Sequence, residues 1–427
     1  MPETKKTKYD RRFLEALPKS DLHVHLDGSL RLETLIELAR DQRVKLPSST
    51  PEGLLELVFK ENYRDLPDYL HGFAYTSPVL CDEQALERVA YELAIDNLAE
   101  GVRYIEVRFA PQLHVRPGLD VARVLTAVDR GLDRARREHE ACAAVRERGE
   151  PPFRYGIITC AMRLFSAGFA PYYENLLRAL DQWPPKEVYG VASMSLARSV
   201  VRARDELGLP IVALDLAGAE AGNPPSDHVA AFAFAHRNFL KKTVHAGEAY
   251  GPESIFQAIT RLNADRIGHG TRLFDDESVK ADDPERYVRQ LSEYIADRRI
   301  TIEVCITSNL QTMPHLRRVE DHPFGRMVRE RLSVALCTDN RLVSRTTVTR
   351  ELEQATEAFD LEPQELRNVV IHGFKRSFFA GGYREKRAYV RQIIDDYDRV
   401  AAEHQVAETA PARGVFGAVA QAGSDRP

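Results

Sequence analysis

Short apolar runs recur along the chain, separated by longer stretches in which apolar residues return every three or four positions. Eight of the short runs read as strands: residues 21–26 (DLHVHL), 103–109 (RYIEVRF), 155–162 (YGIITCAM), 210–218 (PIVALDLAG), 242–247 (KTVHAG), 265–270 (DRIGHG), 301–308 (TIEVCITS) and 333–339 (SVALCTD). The stretches between them include 83–101, 120–138, 226–240, 251–262 and 283–298, which carry the period of amphipathic helices; the first ends at Gly101, a common helix terminator. Strands that are apolar on both faces and alternate with helices belong to a parallel sheet, because each crossover helix covers a face. Eight such units without a GxGxxG or GxxxxGK[ST] fingerprint predict a (β/α)8 TIM barrel rather than a doubly wound sheet.

Residues 43–82 form an aromatic-rich excursion after the first strand, which the barrel places at its mouth as a helical lid; a surface subdomain is the alternative. Residues 1–15 read as an N-terminal extension and 16–406 as the barrel. Residues 407–427 are rich in Ala, Gly and Pro without a period, and the expectation is a disordered tail.

The composition narrows the possible partners. With 427 residues and a formal net charge of -5, the chain offers no general attraction for nucleic acid or an acidic membrane. The local cluster Arg134, Arg136 and Arg137 is interleaved with acids and reads as a solvated helix face. The cysteines at 81, 142, 160, 305 and 337 form no CxxC pair, so free thiols in a reducing compartment are expected. No apolar stretch follows the basic N-terminus and none approaches 18 uninterrupted residues, which predicts a cytoplasmic protein.

In a barrel, catalytic groups gather at the carboxyl ends of the strands. The first strand ends HVHLDG, placing His23, His25 and Asp27 at alternate positions; the fifth ends VHAGE with His245 and Glu248; the sixth ends GHG around His269; the eighth ends CTDN with Asp339 and Asn340. A lone histidine on an apolar segment, such as His236, His315 or His372, is ordinarily a satisfied core residue. Four imidazoles and a carboxylate converging on one apolar rim call for a cation, because unpaired buried polar groups cost free energy. His23, His25, His245 and Asp339 make an N3O set suited to one catalytic Zn²⁺, with a position open for water. Beside it, Glu248 can serve as general acid, or as a carboxylate at a helix N-terminus; His269 can orient the hydroxide and take its proton. The glycines flanking His269 suit either a backbone close to a ligand or a tight turn. Glu106, Arg108 and Glu303 lie on strands two and seven, either as an ion pair locking the barrel or as charges facing substrate.

The segments PKSDLHVHLDGSL, GVRYIEVRFAPQL, VALDLAG, VHAGE, DRIGHGTRL, EVCITSN and CTDN, in this order over residues 16–400, resemble the adenosine deaminase family, the purine-nucleoside branch of the metal-dependent amidohydrolases. The resemblance implies hydrolytic deamination of adenosine to inosine and ammonia, with zinc on His23, His25, His245 and Asp339. It further implies that Glu248 protonates N1 while His269 and Asp339 hold the hydroxide that adds at C6. His25, Asp27, Gly218 and Asn340 would bind substrate, Gly218 meeting N3 and Asp27 the ribose 5′-hydroxyl. Leu66, Leu70 and Phe73 resemble the part of the family that closes over the nucleoside, although their spacing also fits plain helix packing. The family usually carries a second aspartate where this chain has Asn340; an amide can donate to N7 without needing a proton. Free adenine, a 5′-modified adenosine, or a catalytically silent nucleoside-binding role are the competing readings. Zinc enzymes that edit bases inside nucleic acid carry HxE and PCxxC motifs, which this sequence lacks.

Overall fold

The computed structural model describes residues 8–313 and 315–406; the tail expected at 407–427 lies outside the described residues. Eight strands form one sheet in sequential order: β1 (Lys19–His25), β2 (Val102–Phe109), β3 (Arg154–Met162), β4 (Ile211–Ala217), β5 (Lys241–Ala246), β6 (Arg266–His269), β7 (Thr301–Val304) and β8 (Val334–Leu336). Each pairs in parallel with the next. The circle closes between β1 and the residues after β8, where the His25 amide donates to the Asp339 carbonyl at 2.7 Å and the Asp339 amide to the His23 carbonyl at 2.7 Å. This is a (β/α)8 TIM barrel, and all eight runs picked out by apolar pattern are its strands.

Helices Glu83–Ala99, Val121–Ala141, Val229–Arg237, Pro252–Arg261 and Pro284–Arg298 occupy the expected stretches. The 23-residue helix Pro185–Leu207 falls outside the expected set; half of its buried face consists of the small residues Ala192, Ser193, Ala197 and Ala203, which blur an apolar period. Three further helices follow β8, at Val348–Phe359, Pro363–Arg376 and Tyr383–Glu403. The 43–82 excursion contains three short helices, Pro51–Leu57, Leu66–Leu70 and Phe73–Val79, two of them started by a Thr50 or Asp65 side chain accepting from a first-turn amide. No helix among the described residues is long and apolar enough to cross a membrane. All five cysteines are free.

Helices Glu83–Ala99 and Val121–Ala141 meet backbone to backbone at Gly131: a Cβ there would lie 2.2 Å from the Glu87 carbonyl oxygen and 2.9 Å from the Tyr91 amide nitrogen. Neither atom belongs to a side chain that can swing aside, so Gly131→Ala must push the helices apart. The expected loss is about 1–3 kcal/mol, the usual size of an overpacking defect. It should appear as a lower thermal midpoint with bound metal unchanged; an unaltered midpoint would show that the contact is not tight.

Candidate active site

His23 and His25 stand two apart on β1 and so share a face, His245 comes from β5, and Asp339 follows β8. One ligand atom from each lies within 4.8 Å of the others. His245 Nε2 is 3.1 Å from His23 Nε2 and 3.2 Å from His25 Nε2, while Asp339 Oδ1 is 3.4 and 3.5 Å from the same two nitrogens. Donors about 2.05 Å from a tetrahedral zinc stand about 3.3 Å apart, so the set has the size of a zinc shell.

The far sides of two rings decide what the near sides offer. His23 Nδ1 donates to Glu303 Oε2 at 2.9 Å and His245 Nδ1 to Asp215 Oδ2 at 3.0 Å, both carboxylates fully buried. With Nδ1 carrying the proton, the Nε2 atoms are bare lone pairs that face one another and cannot bond to each other. A cation is the partner that makes this arrangement stable, and carboxylate-backed imidazoles are its usual ligands.

Behind the cluster runs a buried ion-pair network. Arg108 donates to Asp215 Oδ2 (3.0 Å), Glu303 Oε2 (2.8 Å) and the Leu22 carbonyl (2.6 Å), and Arg266 pairs with Glu303 Oε1 at 2.6 Å and with Glu106. Glu106, Arg108 and Glu303 therefore form ion pairs that lock the barrel, and Glu303 also orients the His23 ring. Burial alone would raise the Glu303 carboxyl, but Arg108 and Arg266 outweigh it and hold the group well below its ordinary range. Asp215 is likewise held low against burial, by His245 and Arg108. The negative charges of Glu106, Asp215, Glu303 and Asp339 number four against two guanidinium groups, which leaves −2 for a divalent ion to balance.

Two of the site residues sit in left-handed backbone, His269 at φ 64° and Asp339 at φ 59°. A non-glycine residue there costs on the order of 1–3 kcal/mol and persists because its surroundings fix it. Gly268 is there for a neighbouring ligand side chain: a Cβ on it would meet His23 Cε1 at 3.0 Å. His269 Nε2 stands 3.9 Å from Glu248 Oε2. Burial, helped by the charges of Asp339 and Glu220, pushes the Glu248 carboxyl well above its usual range. Glu220 also shapes the loop that carries Glu248, accepting from the amides of Gly247 (2.9 Å), Glu248 (3.0 Å), Ala249 (2.7 Å) and Tyr250 (2.9 Å) and from the Ser254 hydroxyl.

The remaining residues expected in the site lie around this centre. Asp27 is buried, its Oδ1 has no hydrogen-bond partner, and burial raises its carboxyl to about 7. Gly218 follows β4 with φ 97°. Asn340 is buried and donates through Nδ2 to the Tyr69 hydroxyl at 2.8 Å. Of the three lid residues, Phe73 turns an edge to the His25 ring at 6.5 Å between centroids, whereas Leu66 and Leu70 pack into the apolar core. Tyr69, between them, reaches Asp339 Oδ2 at 3.3 Å and Ser344 Oγ at 2.7 Å. Ser308 donates to Asp339 Oδ2 at 2.6 Å. Sequence reasoning passed over Asp215, Glu220, Tyr69 and Ser308; only Asp215, a carboxylate within the apolar run IVALDLA, carried a signal that could have revealed it.

A closed parallel barrel with this donor set at the carboxyl ends of its strands defines a metal-dependent hydrolase of the barrel class. The family model for adenosine deaminase matches residues 18–169 and 188–396. The adenosine deaminase of Mycobacterium avium is 34% identical over 382 residues, covering 88% of this chain and 94% of its own. Adenosine deaminase 1 of Streptomyces coelicolor is 36% identical over 400 residues, covering 93% and 91%. Among solved structures, an amidohydrolase from Burkholderia ambifaria with bound zinc superposes with a TM-score of 0.73 at 20% identity, covering 94% of this chain and 96% of that one. Adenine deaminase from Arthrobacter aurescens gives 0.67 at 22% identity, covering 89% and 98%. The chain belongs to the adenosine deaminase family, whose members are metal-dependent hydrolases of C–N bonds.

Replacing Glu303 by Gln leaves the shape but removes the charge behind His23. Metal affinity should fall about 10–100-fold, measured by chelator competition on protein whose circular dichroism is unchanged. Undiminished affinity would show that Glu303 serves only the arginines.

Proposed function

We propose that the protein converts adenosine, or a close 6-aminopurine nucleoside, to the 6-oxo product and ammonia, using one zinc ion per chain. The observation that carries this reading is a buried Glu248 carboxyl, pushed above its ordinary range by burial and by the charges of Asp339 and Glu220, within 4 Å of His269 at the rim of a cluster, His23, His25, His245 and Asp339, that could hold a cation. Zinc held there supplies a Lewis acid that lowers the pKa of bound water from 15.7 to about 7.

The protein's own groups supply the rest. Glu248, its carboxyl shifted upward by burial, hands its proton to N1 of the purine, which makes C6 electron-poor. His269 and Asp339 hold the attacking oxygen, both in backbone that their surroundings fix, and the proton this oxygen gives up passes by way of Asp339 to the departing amino group, so that cleavage of the C6–N bond releases ammonia. Asp27, buried with a free oxygen, takes the ribose 5′-hydroxyl, and this favours a nucleoside over free adenine. The Gly218 amide meets N3. Asn340 has a second N–H beyond the one given to Tyr69, and that N–H serves N7. The lid residue Phe73 excludes water above His25. The free thiols suit a cytoplasmic enzyme acting on a small molecule.

Purified zinc-loaded protein should lower the ultraviolet absorbance of adenosine as inosine forms, faster than it acts on adenine or on 5′-modified adenosines. Glu248→Gln should reduce kcat about 10²–10⁴-fold, the usual worth of a general acid, with KM little changed. Chelation should abolish turnover and added zinc restore it. Adenine outpacing adenosine, or full activity in Glu248→Gln, would reject the substrate or the acid role respectively.

A further inference from the structure

Behind His269, away from the metal cluster, a chain of hydrogen bonds runs to the backbone at the start of helix Phe324–Arg329. The Phe324 amide lies 3.0 Å from His322 Nδ1, His322 Nε2 lies 3.2 Å from Asn309 Oδ1, and Asn309 Nδ2 lies 3.0 Å from His269 Nδ1. His322, Asn309 and His269 are all buried, at 2%, 0% and 1% exposure.

A backbone N–H can only donate, and this sets the direction of every bond in the chain. His322 Nδ1 accepts from Phe324 and so is bare, which puts the His322 proton on Nε2. That proton goes to Asn309 Oδ1, so the Asn309 amide must present its NH2 group to His269. Turning the amide over would set an N–H against the N–H of His322, with no acceptor between them. His269 Nδ1 therefore accepts a hydrogen bond, and its proton sits on Nε2, the nitrogen nearest Glu248. Burial holds His322 neutral, its imidazole lowered to about 3, so protonation does not break the chain at its anchor.

We infer that Asn309 and His322 are positioning residues that fix His269 as the neutral Nε2–H tautomer, so that His269 holds the attacking oxygen by donating a hydrogen bond and does not take its proton. This replaces the proton-accepting role that the sequence suggested for His269. The tautomer follows from the fold alone; the kinetic consequence rests on the deaminase reading above. Asn309→Asp substitutes an acceptor for the donor and reverses the last bond, transferring the His269 proton to Nδ1 and leaving Nε2 bare.

The test is a long-range ¹H–¹⁵N spectrum of zinc-loaded protein labelled at histidine, with the His269 signals assigned by loss in His269→Gln. The expected pattern is protonated Nε2 and bare Nδ1 in the wild type, inverted in Asn309→Asp. The variant should lose about 10²–10³ in kcat, the size of a lost oxyanion donor, while retaining one zinc per chain by mass spectrometry. A wild-type spectrum with bare Nε2 overturns the inference whatever the variant does, including a variant that fails to fold. An Asn309→Asp enzyme with inverted tautomer and undiminished kcat keeps the relay and rejects its catalytic use. Correct tautomers in a protein that deaminates no 6-aminopurine would bring down the substrate reading and leave the relay standing.

Discussion

The histidine cluster and the ion-pair network behind it hold two more carboxylates than guanidinium groups, and the site is arranged around that imbalance. Glu106, Asp215 and Glu303 are buried against Arg108 and Arg266, and Asp339 adds a further carboxylate. Buried carboxylates in such numbers are costly unless paired. Two of them act through imidazole: Glu303 and Asp215 accept hydrogen bonds from the Nδ1–H groups of His23 and His245, which turns the bare Nε2 nitrogens toward a common point. The barrel interior thus works as a scaffold and as an electrostatic template, gathering donors that could hold a cation and fixing the tautomers of the histidines among them.

Around that template the strand ends are shaped by local constraint. His269 and Asp339 occupy backbone conformations that L-residues disfavour, each at the point where its strand leaves the barrel. The loop after β5 is fastened by Glu220, whose oxygens accept four consecutive amides and a hydroxyl, and Glu248 rides on that loop. The carboxyl proposed as the proton donor is thereby held in place by a second carboxylate that accepts from its loop. The lid reaches into the same network, because Tyr69 touches both Asp339 and Asn340. The Asp339–Asn340 pair, the point where the chain departs from the family's usual two aspartates, is where lid and metal centre meet.

Hydrogen-bond direction is the second organising constraint. Donors and acceptors that look interchangeable in a list of contacts become ordered once one member is a backbone amide. The relay from Phe324 to His269 is ordered in this way, and so is the Glu220 clamp, every partner of which is a donor. Such ordering determines what a neutral histidine can do, which composition and spacing never reveal.

Much of this molecule was legible along the chain, for physical reasons. Parallel strands are buried on both faces, so their apolar runs stand out from amphipathic helices, and eight alternations lead to a closed barrel. The cluster His23, His25, His245 and Asp339 was legible because His23 and His25 share a strand face, and because polar residues ending apolar strands have few other uses. The 185–207 helix was not, since the small residues on half of its buried face weaken the period, and the three helices after β8, which include the barrel's eighth, lie beyond the last strand and mark no further alternation. Glu220, Tyr69, Asn309 and His322 were not legible as site residues either: each is an ordinary polar residue whose importance comes from a partner remote in sequence. The sequence alone determined the sheet, the insertion after the first strand and which donor atoms the strand ends carry, because these follow from local periodicity and residue type. Only the tertiary structure decided which carboxylates lie behind which imidazoles, where the protons sit and which loop is clamped, because hydrogen-bond direction and buried charge balance depend on contacts that exist only once the barrel has closed.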